Sequence, residues 1–218
     1  MNDPTIAILG GTGKEGTGLA FRWAAAGYRI IIGSRQKEKA KITAERINKQ
    51  LGIQTVQGLL NRDAAMQGDI CVITVYYPAH AKILEDIKEI LDGKILIDTT
   101  SRVDYRDPKP PTVPCAAQES QELLGRSVKV VAAFQNIPAK SLMSNIGQNI
   151  DADVLVCSDD VTAAEQVIKL VNAAGMRGFY AGLLANAIIV EGMTTILINL
   201  NKFYGSKNAS ITVTGIST

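Results

Sequence analysis

The chain has 218 residues, 46% of them hydrophobic and 20% charged, enough to bury one sizeable core and too apolar for a disordered chain. Lys and Arg total 23 against 21 Asp and Glu, a net charge of +2 that gives no sign of the basic stripe a nucleic-acid polyanion needs. A single histidine, His80, excludes a multi-histidine metal site and argues against a Ser/His/Asp or Cys/His pair, while three scattered cysteines (Cys71, Cys115, Cys157) read as buried apolar residues of a reducing compartment.

Met1 to Pro4 is acidic and turn-like, unlike the start of a secretory leader. Thr5 to Leu9 then reads as a strand, and Glu15 to Ala26 as a helix ending at Gly27. Arg29 to Ile32 is a second strand, and Gln36 to Leu51 a charged amphipathic helix closed by Gly52. Gln54 to Val56 is a candidate third strand, with a short helix around Asp63 to Met66. Ile70 to Val75 is the fourth strand, followed by a helix to Leu91 and a strand from Lys94 to Asp98. These strands are apolar on consecutive residues, as parallel strands covered on both faces must be. Their alternation with helices predicts an α/β fold, a Rossmann-type, doubly wound and mainly parallel sheet.

Four of the seven prolines fall between Thr99 and Pro114, which makes that stretch a loop. A helix around Ala117 to Leu124 and a strand from Val128 to Ala132 follow, then a polar loop at Phe134 to Pro138. A strand at Asp153 to Cys157, a helix from Thr162 to Ala174 capped by Asp159 and Asp160, and a strand at Arg177 to Tyr180 come next. The last helix runs from about Leu184 to Phe203 and is apolar on nearly every face. Its surroundings, Ala181 to Leu200, carry Asn186, Glu191 and Asn199, so a helix covered by a partner subunit suits it better than a membrane span. The expected setting is therefore cytoplasmic, with no membrane.

The strongest local signal is Gly10-Gly-Thr-Gly-Lys-Glu-Gly16, directly after the first strand and opening the first helix. It contains G-x-G-x-x-G at Gly11, Gly13 and Gly16, expected to allow the tight turn, the approach of a pyrophosphate and close helix–strand packing, respectively. Phosphates would sit at the helix N-terminus, where free N–H groups and the dipole favour anions. Thr12, Lys14 and Glu15 within the loop, and Thr74 and Val75 at the end of the fourth strand, complete the expected nucleotide contacts.

An NAD site expects a carboxylate at the end of the second strand to hold the ribose 2′-hydroxyl. This chain has Gly33-Ser34-Arg35 there, with Lys37 and Lys39 in the next helical turn. Ser34, Arg35 and Lys39, with Thr12, instead suit a 2′-phosphate and hence NADP. Residues 1–180 are accordingly expected to form the NADP-binding Rossmann domain, and 181–218 a C-terminal helix and tail serving dimerisation and the substrate site. Tyr105-Arg-Asp-Pro-Lys109 matches the Tyr-x-x-x-Lys spacing of short-chain dehydrogenases, but Pro108 rules out the helix that pair needs.

The glycine loop, Gly33-Ser34-Arg35, Ala133-Phe-Gln-Asn-Ile-Pro-Ala139, Asp153 to Asp160, Ala181 to Ala187, Val190-Glu-Gly192, Leu200 to Tyr204 and Ile211 to Gly215 together resemble the coenzyme F420-dependent NADP oxidoreductases. The resemblance runs in order over nearly the whole chain. It implies that the 2′-phosphate is held at Thr12, Ser34, Arg35 and Lys39, that the C-terminal part builds a homodimer, and that hydride passes directly between NADP and a deazaflavin, coenzyme F420. Such a transfer requires no protein nucleophile, so no catalytic residue is assigned. The second substrate is expected beside Tyr76, His80, Gln135, Asn136, Ile137 and Pro138. Gln135 departs from the family, which commonly has His there, and Tyr76-Tyr-Pro-Ala-His80 departs from its usual segment after the fourth strand. Two other readings stand beside this one: an NADPH-dependent reductase of a flavin or small carbonyl compound, and an NADP-binding module without turnover.

Overall fold

The computed structural model describes residues 3–216; Met1 and Asn2 of the turn-like opening lie outside them. Six parallel strands form one sheet in the order β3-β2-β1-β4-β5-β6. They are β1 (Ile6–Leu9), β2 (Ile30–Ser34), β3 (Val56–Leu60), β4 (Ile70–Ile73), β5 (Ile95–Asp98) and β6 (Lys129–Ala132). Between them run α1 (Lys14–Ala25), α2 (Lys37–Leu51), α3 (Asn61–Gln67), α4 (His80–Ile87) and α5 (Ala116–Leu124). The strand order reverses between β1 and β4, and a doubly wound sheet opens its binding crevice at the carboxyl ends of the strands at such a switch point.

Alternate residues of each strand enter two separate cores, one on each face of the sheet. Ile6, Ile8, Ile30, Ile32 and Val72 pack with Leu19 and Trp23 on one side. Ala7, Leu9, Ile31, Cys71 and Ile73 pack with Ile83, Leu84 and Ile87 on the other. This two-sided burial is why the strands read as unbroken apolar runs. The three cysteines are free and buried in the second core, as expected.

Three local expectations are corrected. The third strand begins at Val56 rather than Gln54, because the Asn48 side chain accepts from Val56 N–H at 3.1 Å and donates to its carbonyl at 2.8 Å. Gly58 lies inside it because a Cβ there would meet the Ala40 carbonyl carbon at 2.3 Å, so α2 rests directly on the strand. The helix after β4 is segmented, with short 3-10 turns at Tyr77–Ala79 and Lys88–Ile90 flanking α4. A one-turn helix, α6 (Ala139–Leu142), has no counterpart in the sequence reading.

After α6 come β7 (Asp153–Val156), α7 (Val161–Ala173), β8 (Arg177–Tyr180) and α8 (Ala187–Phe203). β7 and β8 form their own parallel pair, joined to β6 by an antiparallel bridge between Ala132 and Cys157. Leu184–Phe203 is long and apolar enough to cross a membrane by length and composition. In the fold, Leu184, Ala187 and Val190 enter the second core. The carboxylate of Glu191 is buried and accepts from Ala116 N–H at 2.7 Å, at the start of α5, and from Arg102 N–H at 3.2 Å. The tail is also tied down: Asp153 N–H donates to the Ile211 carbonyl, and Asp153 Oδ2 accepts from Val213 N–H at 2.5 Å.

Candidate functional site

The glycine loop joins β1 to α1 at the switch point. Gly10, with φ +77°, makes the tight turn that the sequence reading assigned to Gly11. What keeps Gly11 free of a side chain is proximity, since a Cβ there would meet the Ile8 carbonyl at 2.7 Å. Gly16 supplies close packing as expected, because its Cβ would strike Gly11 Cα at 2.6 Å and Thr74 Oγ1 at 2.5 Å. Gly13 differs from both: a Cβ would come no nearer than 3.5 Å to the Gly10 carbonyl, so its bare backbone leaves room for something outside the protein. Asn61 Oδ1 accepts from Gly10 N–H, and Gly11 N–H donates to the Gly33 carbonyl, which fixes the loop against the end of β2. No side chain caps α1 at Gly13, so its first-turn N–H groups face outward.

Ser34 ends β2 and is buried, whereas Arg35 and Lys39 are exposed. No carboxylate forms an ion pair with Arg35 or Lys39 among the described residues. Ser34 closes β2 and Arg35 follows it directly, with Lys39 in the first turn of α2; none of the three lines the cleft beside the glycine loop.

Beside the loop, at the carboxyl ends of the strands, lies a cleft of about 280 Å³. Gly13, Lys14, Glu15, Thr74, Val75, Tyr76, Gln135, Asn136, Ile137 and Pro138 line it, all positions named from the sequence. Burial pushes the Glu15 carboxyl up to about 8; a hydrogen bond from Thr99 works against this shift and the Asp98 charge adds to it. Glu15 keeps partial contact with solvent at the cleft wall.

The polar loop from Phe134 to Pro138 is largely buried. Gln135 and Asn136 are 6% and 1% exposed, and Phe134 is fully buried with φ +75°, edge-on to Trp23. Gln135 Nε2 donates to the Asp98 carbonyl at 2.8 Å and Asn136 Nδ2 to the Asp153 carbonyl at 2.7 Å. A carbonyl can only accept, so both amide groups have a fixed orientation. Three buried side-chain oxygens on cleft residues then have no partner: Gln135 Oε1, Asn136 Oδ1 and Thr100 Oγ1. Each orphan of this kind costs about 1–3 kcal/mol, and all three belong to residues of the cleft wall.

His80 is corrected. It does not line the cleft; it is 1% exposed and bonded to Asp98 at 2.8 Å, because its position at the start of α4 turns it beneath the end of β5. The sequence reading also missed Thr99, Thr100, Ser101 and Tyr105, taken for mere loop, and Thr194, Leu197, Ile198 and Asn201 of α8. The first group was accessible from topology, since whatever follows β5 must leave at the same edge as the glycine loop. For α8 the sequence assigned the C-terminal part as a whole to the substrate site, but nothing in it singled out these four residues.

The family described as NADP oxidoreductase, coenzyme F420-dependent, matches residues 5–102 of the chain. The F420-dependent NADP reductase of Methanocaldococcus jannaschii is 38% identical, over 97% of this chain and 98% of its own length. That of Methanothermobacter thermautotrophicus is 37% identical, over 97% and 95%. A solved structure from Arthrobacter sp. has a TM-score of 0.80 at 24% identity, covering 97% of this chain and 99% of that one, which shows a common fold.

Proposed function

The chain belongs to the F420-dependent NADP reductase family, and on that premise we propose that it passes a hydride between NADPH and the deazaflavin coenzyme F420. The observation that carries the reading is the set of unpartnered oxygens on Thr100, Gln135 and Asn136, in a cleft that adjoins the open N-terminus of α1. When bound, the nicotinamide supplies two electrons and a hydrogen nucleus as hydride, and the deazaflavin takes these with one further proton. The protein's own work is to hold, orient and dry the two rings.

The uncapped turn of α1 and the bare backbone of Gly13 hold the pyrophosphate. Ser34, Arg35 and Lys39, with Thr12 in the loop, hold the 2′-phosphate, the free cations by charge-assisted bonds. Lys14, Glu15, Thr74 and Val75 lie where the nucleotide passes into the cleft. Tyr76, Gln135, Asn136, Ile137 and Pro138, which line the cleft, would border the second substrate. The test is NADPH oxidation followed with the deazaflavin, a flavin and small carbonyl compounds as separate acceptors. Turnover confined to the deazaflavin is expected; NADPH binding with no turnover of it overturns the substrate assignment.

A homodimer belongs to the same proposal. Ile189, Ile196, Leu200 and Phe203 are 61, 59, 40 and 82% exposed, and their spacing puts them on one face of α8. A second copy seated on that stripe would remove it from water. The three free cysteines suit the reducing cytoplasm. Light scattering is expected to give twice the chain mass at micromolar concentration, and Ile196→Glu to halve it; a monomeric parent protein would reject the dimer.

A further inference from the structure

A buried polar trio lies one layer behind the cleft. The Nε2–H of His80 faces Asp98 Oδ2 at 2.8 Å and Ser120 Oγ at 3.0 Å, and the Ser120 hydroxyl donates to the same Asp98 oxygen at 2.6 Å. None of the three side chains reaches the surface: residue exposures are 1% for His80 and 0% for Asp98 and Ser120. They come from α4, the end of β5 and α5, three elements that the sheet topology brings to one corner. A buried carboxylate, imidazole and hydroxyl are costly to desolvate, and hydrophobic residues of similar size would hold such a corner at least as well. Stability alone is therefore a poor account of the trio.

Asp98 is also the point from which two cleft segments are hung. Its free oxygen, Oδ1, accepts from Thr100 N–H at 2.9 Å and so bends the chain leaving β5 toward the cleft. Its backbone carbonyl takes the Gln135 amide at 2.8 Å. Thr100 and Gln135 carry two of the three unpartnered oxygens. The His80 ring stacks on Tyr77, whose neighbour Tyr76 lines the same cleft.

We propose that His80, Asp98 and Ser120 act together as positioning residues, locking the carboxylate so that Thr100 and Gln135 are held in the register the second substrate requires. The role is specific to that substrate, because the nucleotide is held by the glycine loop and the end of β2, which the trio does not touch. It rests on the proposed hydride transfer, where about an ångström of misplacement is enough to lose rate.

Ser120→Ala removes one hydroxyl, and His80→Gln keeps a donor while removing the imidazole. Both are compared with the unaltered protein for NADPH affinity by calorimetry, steady-state reduction of the deazaflavin, and hydrogen exchange at the Thr100 amide by NMR. The expected result is NADPH affinity within twofold, kcat lowered tenfold or more, and Thr100 exchange at least tenfold faster. Unchanged exchange, a kcat within twofold, or an equal loss of NADPH affinity would each overturn the role. Ser120→Ala decides alone if His80→Gln does not fold. Should the unaltered protein fail to reduce the deazaflavin, the functional reading falls, and the exchange measurement still decides whether the trio sets Thr100.

Discussion

The Gln135 amide nitrogen lies 2.8 Å from the Asp98 carbonyl, joining the turn after β6 to the end of β5 at the cleft. That single bond fixes which way the amide points, and leaves Oε1 without a partner. Gln135→Ala removes both the tie and the acceptor while touching nothing at the glycine loop. A lost hydrogen bond of about 1 kcal/mol corresponds to roughly a fivefold to tenfold drop in turnover of the second substrate. The NADPH dissociation constant, measured by calorimetry, is expected to stay within twofold.

Arg35 is exposed at the end of β2 and has no carboxylate partner among the described residues. With Ser34 and Lys39 it offers a 2′-phosphate charge-assisted bonds of about 1.5–3 kcal/mol each. The unaltered protein is expected to bind NADPH about a hundredfold or more tightly than NADH. Arg35→Ala should cost NADPH about tenfold or more and leave NADH nearly unchanged. Equal affinities of the unaltered protein for the two nucleotides would reject the assignment.

Why these two sites differ in legibility follows from their physics. The glycine loop and the Ser34-Arg35 end are local: a strand, a turn and a helix start in consecutive residues carry the whole requirement, so the sequence displays it. The far wall of the cleft is assembled from Thr100, Gln135 and Thr194, on a loop, a buried turn and the last helix. Thr194 Oγ1 donates to the Gln135 carbonyl at 2.9 Å across 59 residues, a contact no window of sequence contains. Phe134 to Asn136 reads as a polar loop, and the partners that allow its amides to be buried are the distant backbone carbonyls of Asp98 and Asp153. His80 was placed at the right strand end, but the side chain's direction depended on Asp98, eighteen residues away.

Arg22 provides a stability test away from the cleft. Buried on α1, it donates to the carbonyls of Leu142, Ser144, Gln148 and Ala174, at 2.9, 2.6, 2.9 and 2.9 Å. Three of these bonds pin α6 and the irregular chain after it, which begins where Pro138 and Ala139 line the cleft, and the fourth ties them to the end of α7. Arg22→Ala strands the Leu142 and Ala174 carbonyls in the interior and frees those of Ser144 and Gln148 nearer the surface, at a cost of about 3–5 kcal/mol. For a chain of this size the melting temperature should fall by roughly 6–20 °C, read by circular dichroism. A shift under about 3 °C would show that the segment is held by other means.

Glu191 sets the pH dependence of folding. Burial pushes its carboxyl up from 4.5 to about 7, against the Arg102 and Ala116 N–H bonds that favour the charged form. A group whose pKa is raised on folding contributes fully below its unfolded value, and the contribution disappears as pH climbs through the folded one. The window is therefore about pH 4.5 to 7, worth about 3 kcal/mol, with stability falling as pH rises. Glu15, raised to about 8, acts in the same direction with less weight because solvent reaches it. His80 adds to the trend: burial lowers its pKa, but the Asp98 hydrogen bond and charge more than reverse this. Asp98 is lowered and opposes them only in strong acid, below its ordinary 3.8. The melting temperature is thus expected to drop by several degrees between pH 5 and pH 8. Glu191→Gln retains an acceptor for the Ala116 N–H but has no proton to lose, so its profile should be flatter. A parent profile that rises over this range would mean Glu191 is ionised and satisfied in the fold, with the two backbone N–H bonds outweighing its burial.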